Sequence, residues 1–445
     1  MPSHATLDLL RQGRLSGARR LDLACGLTEV PPEVLGLADT LEVLNLTGNA
    51  LSQLPDWLPQ LRRLQVIFCS DNAFTELPAV LGRCEALTMV GFKHNRIAHV
   101  PAQSLPPRLR WLILTDNALT ALPDELGSCT ALQKLMLAGN RLTQLPDSLR
   151  HCEALELLRV SDNQLAALPE VLLTLPRLAW LAHAGNPCSA TREAQAAAQA
   201  QARAIAWQDL ALGARLGEGA SGEIHRARWR GPTGEQDVAV KLFKGDKTSD
   251  GLPASEMAAC LAAGQHPHLI GTFGPLQGHP GGRAGLVLPL MPEGCRPLAA
   301  PPSLASCTRD VYPEGWQVSL DDALAIATAV ASAAAHLHSL DMTHGDLYAH
   351  NTLWQAGGPC LLGDFGAAAF TPSAAQPAAP HLARQLQAIE ARAFGCLLQE
   401  LTDHLPPGAA GHRQAALRDL AEHCQHPQAG RRPTLAQAHA SLLAL

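Results

Sequence analysis

Asn49, Asn72, Asn95, Asn117, Asn140, Asn163 and Asn186 follow one another at intervals of 23 residues, with a single interval of 22. Around them the chain reads in frame: LEVLNLTGNALSQLP (41–55), LQVIFCSDNAFTELP (64–78), LTMVGFKHNRIAHVP (87–101), LRWLILTDNALTALP (109–123), LQKLMLAGNRLTQLP (132–146) and LELLRVSDNQLAALP (155–169). A unit of this length cannot bury its own leucines, so adjacent units must stack and share one continuous core. A weaker copy, LDLACGLTEVP (21–31), precedes them with Gly26 in the asparagine slot, and the last copy fades after Asn186 and Pro187. The recurring asparagine suits the point where the chain turns out of each short strand and backbone groups need partners.

The pattern L-x-x-L-x-L-x-x-N-x-L-x-x-L-P strongly resembles the leucine-rich repeat family, and the resemblance covers about residues 19–188, behind a short N-terminal cap at 1–18. Strand alternation then sets two outward rows. One holds Val43, Val66, Met89, Trp111, Lys134, Leu157 and Trp180; the next holds Asn45, Phe68, Gly91, Ile113, Met136, Arg159 and Ala182. Phe68, Trp111, Ile113 and Met136 are expected exposed on the concave face, and exposed apolar groups commonly mark a binding surface. A protein ligand on that face is the expected partner.

The chain has 445 residues, enough for two or three domains, with a net charge of -6 and a pI near 6.3. That balance gives no support to nucleic acid or an anionic membrane as a partner. The start, MPSHATLDLLRQGRL, does not read as a secretory signal, and the apolar stretch at 323–337 is shorter than the ~20 residues a membrane span needs. Twelve cysteines occur without a C-x-x-C pair, and Cys84, Cys129 and Cys152 share one place in the repeat, where a small buried thiol suffices. A reduced, cytoplasmic setting is expected. The stretch His423-Cys424-Gln425-His426 reads as helix packing rather than a metal site.

Residues 189–206, SATREAQAAAQAQARAIA, are good helix formers without a strong apolar stripe, so they are expected to form a semi-rigid helical linker. Beyond it the glycines cluster. Gly217, Gly219 and Gly222 stand in G-x-G-x-x-G spacing after Leu216 and before Ile224. A dinucleotide site would run from its last glycine into a helix. Here the chain instead alternates through a Gly-Pro turn to Val238-Ala239-Val240-Lys241, which is a hairpin leading to a third strand. Fifteen residues on, Glu256 is the one acidic residue of PASEMAACLAA, and further along come HGDLYAHN (344–351) and Gly363-Asp364-Phe365-Gly366.

From residue 207 to 445 the chain resembles the eukaryotic-like protein kinase family. The whole thus resembles a bacterial-type leucine-rich repeat protein kinase. The expected fold is two-domain: a leucine-rich repeat solenoid of the α/β horseshoe kind, then a bilobal α+β kinase-like domain with an N-lobe at about 207–290 and a C-lobe at about 291–445. The resemblance implies ATP and Mg²⁺ as cofactors. Lys241, held by Glu256, would meet the α- and β-phosphates, and Asp346 would take the proton of the acceptor hydroxyl. Asn351 and Asp364 would hold Mg²⁺. Leu216, Gly217, Gly219, Gly222 and Ile224 would cover the nucleotide, with Ala239 above and Leu353 below the adenine. The Pro289 carbonyl and Met291 N–H would bond its edge, and Leu288 would be the gatekeeper. IEARAFGCLLQEL (389–401) places Glu390 in the family's aspartate slot, and CQHPQAGRRPT (424–434) places Arg432 on its structural arginine.

Departures from the pattern matter as much. Gly345 replaces the arginine before the catalytic aspartate, Tyr348 stands where a lysine is usual, and Ala379-Pro380-His381 is the nearest match to A-P-E, leaving Arg432 without its carboxylate. Without an arginine at 345, control is expected to rest on the position of Glu256 and on the repeats rather than on a phosphate at Thr371 or Ser373. The favoured reading is a protein kinase directed at serine or threonine of a protein substrate, with the repeats recruiting or sensing a partner. The alternatives are a small-molecule phosphotransferase on the same fold and an ATP-binding scaffold without turnover.

Overall fold

The computed structural model describes residues 2–219, 221–245, 247–248, 250–371, 379–407 and 411–445. After helix α1 (Pro2–Arg11), eight three-residue strands, β1 to β8, lie at Arg20–Asp22, Val43–Asn45, Val66–Phe68, Met89–Gly91, Trp111–Ile113, Lys134–Met136, Leu157–Arg159 and Trp180–Ala182. They form one parallel sheet in chain order. The register Val43↔Val66↔Met89↔Trp111↔Lys134 puts equivalent residues side by side. Between strands the chain returns through short 3₁₀ turns, such as Ala79–Arg83 and Asp124–Ser128, both entered from a proline. A unit of this length has room for one such turn but not for an α-helix.

The asparagines do the work expected of them. Asn140 accepts from Leu119 N at 3.0 Å and donates to the carbonyls of Leu114 and Leu137 at 2.9 Å, and Asn49 makes the same bonds one end earlier. The residue before each asparagine has positive φ: Gly48, Asp71, His94, Asp116, Gly139, Asp162 and Gly185. Glycine and short polar residues tolerate that conformation best, which accounts for the G-N and D-N pairs in the repeat. Cys84, Cys129 and Cys152 are buried, and burial pushes their thiols up to about 11, 11 and 12.

The expected exposure of the outward rows is corrected. Met136, Val66 and Met89 are buried, and Phe68, Trp111 and Ile113 are half-buried. Row neighbours cover one another: the Phe68 ring fills the space where a Cβ of Gly91 would stand, and the Lys134 ammonium sits 4.2 Å from the Trp111 ring centre.

The chain divides into two compact units, Met1–Leu158 with Asn163–Leu175, and Arg159–Asp162 with Pro176–Leu445. The second therefore takes in Arg159 and the last repeat strand, ahead of the boundary expected at residue 188. Helix α2 (Ala190–Gln201) is no spacer. Ala196 and Ala200 belong to the same buried cluster as Ala258 and Leu261 of helix α3 (Pro253–Ala263). Alanines four apart make a narrow stripe that lets two helices approach closely, and so weak a stripe is easily read as solvent-facing. Glu193 completes the contact by accepting from the Ser255 hydroxyl at 2.7 Å.

The second unit carries a six-stranded sheet in the order β10-β11-β12-β14-β13-β9. Its strands are β9 (Ile205–Ala206), β10 (Leu210–Glu218), β11 (Gly222–Gly231), β12 (Gly234–Phe243), β13 (Gly274–Gln277) and β14 (Gly285–Pro289). Helical structure follows: α4 (Leu320–Ser339), α5 (Ala379–Asp403), α6 (His412–Cys424) and α7 (Leu435–Leu443). Strand β15 (Arg296–Pro297) precedes α4, and small strands β16 (Met342–Thr343), β17 (Thr352–Trp354), β18 (Cys360–Leu362) and β19 (Ala369–Phe370) frame the loops between α4 and α5. Helix α4 is long and apolar enough to cross a membrane by length and composition, longer than the stretch 323–337 suggested. Its apolar residues, Ile326, Ala327, Val330, Ala333 and Leu337 among them, are instead buried inside the unit.

Candidate active site

Antiparallel pairing sets the glycine-hairpin end of the site. In the β10–β11 hairpin Gly217 pairs with Ile224, and Gly219 N donates to Gly222 O at 2.9 Å. A Cβ on Gly222 would lie 2.6 Å from the Leu242 carbonyl, whereas Gly217 and Gly219 face open space, so packing requires only the third glycine. Leu216 is exposed and Ile224 half-buried. On β12, Ala239 and Lys241 share a face by alternation and lie opposite Leu288 and Leu286 of β14. Pro289 ends that strand, where a missing N–H costs no ladder bond. The Met291 N–H makes no hydrogen bond among the described residues, and Leu353 sits half-buried on β17.

Lys241 and Glu256 meet at 2.5 Å, both buried, and Lys241 Nζ lies 4.0 Å from Asp364 Oδ1. Burial pushes the Glu256 carboxyl up to about 7 against the pull of Lys241. Asp364 adopts positive φ and accepts from Gly366 N at 3.2 Å, which holds its carboxylate at the rim, half exposed. Phe365 beside it is buried in the core cluster under α3, and its ring lies 5.4 Å from that of His344.

The segment 344–351 is anchored from several sides. His344 Nε2 bonds the Gly363 carbonyl at 2.8 Å, tying the loop to the strand before Asp364. Buried Glu390 accepts from Gly345 N at 2.7 Å and pairs with His338 Nε2 at 2.7 Å. Asp310 accepts from His350 N at 2.9 Å and bonds the His350 ring at 2.7 Å. Asn351 Nδ2 donates to both the backbone and the Oδ2 of Asp346, at 2.9 and 2.8 Å, which leaves its carbonyl oxygen for another partner. Among the described residues Arg432 meets no carboxylate; its donors go to the carbonyls of His426, Ala388, Pro176 and Pro427. Thr371 is buried, its carbonyl accepting from Arg192 at 3.2 Å, while Ser373 and the side chains of Ala379 and Pro380 lie outside the described residues.

Three residues escaped the sequence reading. Asp310 carries no motif. Trp180 stacks on Tyr348 with ring centres 4.2 Å apart and planes 5° apart, and its Nε1 donates to Leu347 O at 3.0 Å. Arg159 bonds Asp250 Oδ1 at 2.6 Å, Gly345 O at 3.2 Å and the Oδ1 of Asp346. For Arg159 the one available signal was that it is the only arginine in the two outward rows.

A carboxylate, an amide oxygen and an ion-paired lysine converging beside a glycine hairpin form the donor set that a nucleotide triphosphate and a hard divalent cation require. Residues 210–387 match the protein tyrosine and serine/threonine kinase family, and residues 40–61 and 107–165 match leucine-rich repeat families. The chain is 29% identical over 152 residues to a probable serine/threonine-protein kinase of Dictyostelium discoideum, a match covering 34% of this chain and 8% of that protein. It is 32% identical over 167 residues to the high affinity nerve growth factor receptors of Rattus norvegicus and Mus musculus, covering 36% of this chain and 20% of each receptor. The chain thus spans only a small part of these relatives. A solved leucine-rich repeat protein of Leptospira interrogans is 29% identical at a TM-score of 0.38, covering 40% of this chain and 46% of that one. Set beside the geometry of the site, the family matches identify a chain that joins leucine-rich repeats to a protein kinase domain.

Proposed function

We propose that the protein is an ATP-dependent protein kinase that transfers the γ-phosphate to a serine or threonine hydroxyl of a protein. The observation that carries the reading is the convergence of Asp346, Asn351 and Asp364 with the Lys241–Glu256 pair in one unit. Lys241 orients the α- and β-phosphates, held in place by Glu256. Met291 N–H and Pro289 C=O meet the adenine edge, with Ala239 and Leu353 on its faces. Asn351 and Asp364 would hold Mg²⁺, which would supply charge stabilisation at the migrating phosphoryl group. Asp346 accepts the proton of the acceptor hydroxyl as its oxygen bonds the γ-phosphorus and the bond to ADP breaks.

The repeats, on this reading, recruit or sense a partner protein. Twelve cysteines without a C-x-x-C pair favour a reducing, cytoplasmic setting. Preference for serine and threonine draws on the name of the Dictyostelium relative. Incubation with γ-labelled ATP and Mg²⁺, followed by phosphoamino-acid analysis of generic protein acceptors, tests the proposal. Label on phosphoserine or phosphothreonine supports it; label confined to small molecules, or none on any acceptor, refutes it.

A further inference from the structure

The position of Arg159 bears on how the site is controlled. Its guanidinium is almost wholly buried and bonds Asp250, the Gly345 carbonyl and the Asp346 carboxylate. None of these bonds falls on Lys241, Glu256 or Asp364. Asp346 has two carboxylate oxygens. Asn351 donates to Oδ2 and Arg159 to Oδ1, so each oxygen already receives a side-chain donor. A general base must lie within hydrogen-bond reach of the proton it removes. Here a permanently protonated guanidinium takes that place, and it has no proton-accepting atom to relay with.

The surroundings are fitted to this arrangement. Gly345 has φ +72°, and a Cβ there would meet the carbonyls of Ala367 at 2.4 Å and Leu181 at 2.7 Å. Any side chain at 345, including the arginine usual at this place, would push the loop away from strand β8. From that strand Trp180 covers Tyr348 and bonds the Leu347 carbonyl, so the two residues after Asp346 are held by the same element. The residue that breaks the kinase pattern is thus the one that lets β8 and Arg159 dock.

We propose that this kinase restrains itself at the acceptor side: Arg159 competes with the incoming hydroxyl for Asp346, so nucleotide can bind while phosphate transfer is slowed until Arg159 is withdrawn. The inference rests on the kinase reading above. Its test uses the full chain as wild type, Arg159→Ala and Asp250→Ala, with two measurements: phosphotransfer rate to a generic basic protein acceptor, and ATP·Mg²⁺ affinity by fluorescent-nucleotide titration. Arg159→Ala should transfer at least about tenfold faster, since 1.4 kcal/mol of relieved competition is a factor of ten. Asp250→Ala removes one anchor of Arg159 from a partly exposed position, so it is the variant that decides if Arg159→Ala misfolds; it should transfer a few-fold faster. Nucleotide affinity should change less than twofold in both. Rates equal to or below wild type, with wild type active, overturn self-inhibition and make Arg159 a positioning residue for Asp346. Nucleotide binding without transfer in wild type and both variants overturns the kinase reading itself.

Discussion

Replacing Glu390 with alanine isolates what holds the catalytic loop without touching a group that meets substrate. Glu390 is buried on α5, and its two oxygens accept from Gly345 N and pair with His338 at 2.7 Å each. Alanine leaves both partners buried without it. An unmet buried donor costs ~1–3 kcal/mol, so two cost about 2–6 kcal/mol. At about 2–4 °C per kcal/mol for a unit of this size, the unfolding midpoint should drop by about 4–24 °C. Burial pushes the Glu390 carboxyl up, but His338, His344 and the Gly345 N–H bring it below its ordinary value. A depressed carboxylate stabilises above its unfolded pKa and loses that contribution as pH falls through the folded one. The gap between wild type and Glu390→Ala should therefore be full at pH 7 and close on acidification below about pH 4. Scanning calorimetry of both proteins at pH 7 and in acid reads this directly. A midpoint within 2 °C of wild type at pH 7, or a gap that widens in acid, would refute the reasoning.

Three further outcomes follow from the site. Because Glu256 titrates at about 7, protonation frees Lys241 as pH falls, so kcat/KM should decline through that region while Asp346, held low, stays ionised; a flat profile from pH 8 to 6 contradicts this. Gly222→Ala should weaken nucleotide binding and stability through its clash with Leu242, whereas Gly217→Ala, facing open space, should melt as wild type does, both read by nucleotide titration and thermal unfolding. Thr371→Ala with Ser373→Ala should leave the initial rate within about twofold, under ~0.5 kcal/mol in the barrier; a tenfold loss restored by phosphorylated protein would show that a phosphate is needed after all.

Much of this was readable from the chain because its signals are local. The 23-residue period, the strand alternation and the asparagine ladder repeat within one unit's length, and Lys241, Glu256, Asp346, Asn351 and Asp364 keep motif spacing. What was not readable depends on contacts between distant residues. Arg159 meets Asp346 across 187 positions and Trp180 meets Leu347 across 167, and nothing in either neighbourhood announces the other. Helix α2 was misread because alanine, the residue that lets it pack against α3, is also the residue of solvated spacers. Phe68 and Trp111 were expected bare because alternation gives a face but not what fills the space beside it, here the gap at Gly91 and the ammonium of Lys134.

The central claim is that Asp346 moves the proton while Asp364 holds the metal, and one paired assay separates them. With γ-labelled ATP and Mg²⁺, Asp346→Asn should bind nucleotide as wild type does yet lose most of its transfer to protein acceptors. Asp364→Ala should lose Mg²⁺-dependent binding and transfer together. Near-normal transfer by Asp346→Asn on every acceptor would contradict the account, whatever Asp364→Ala does.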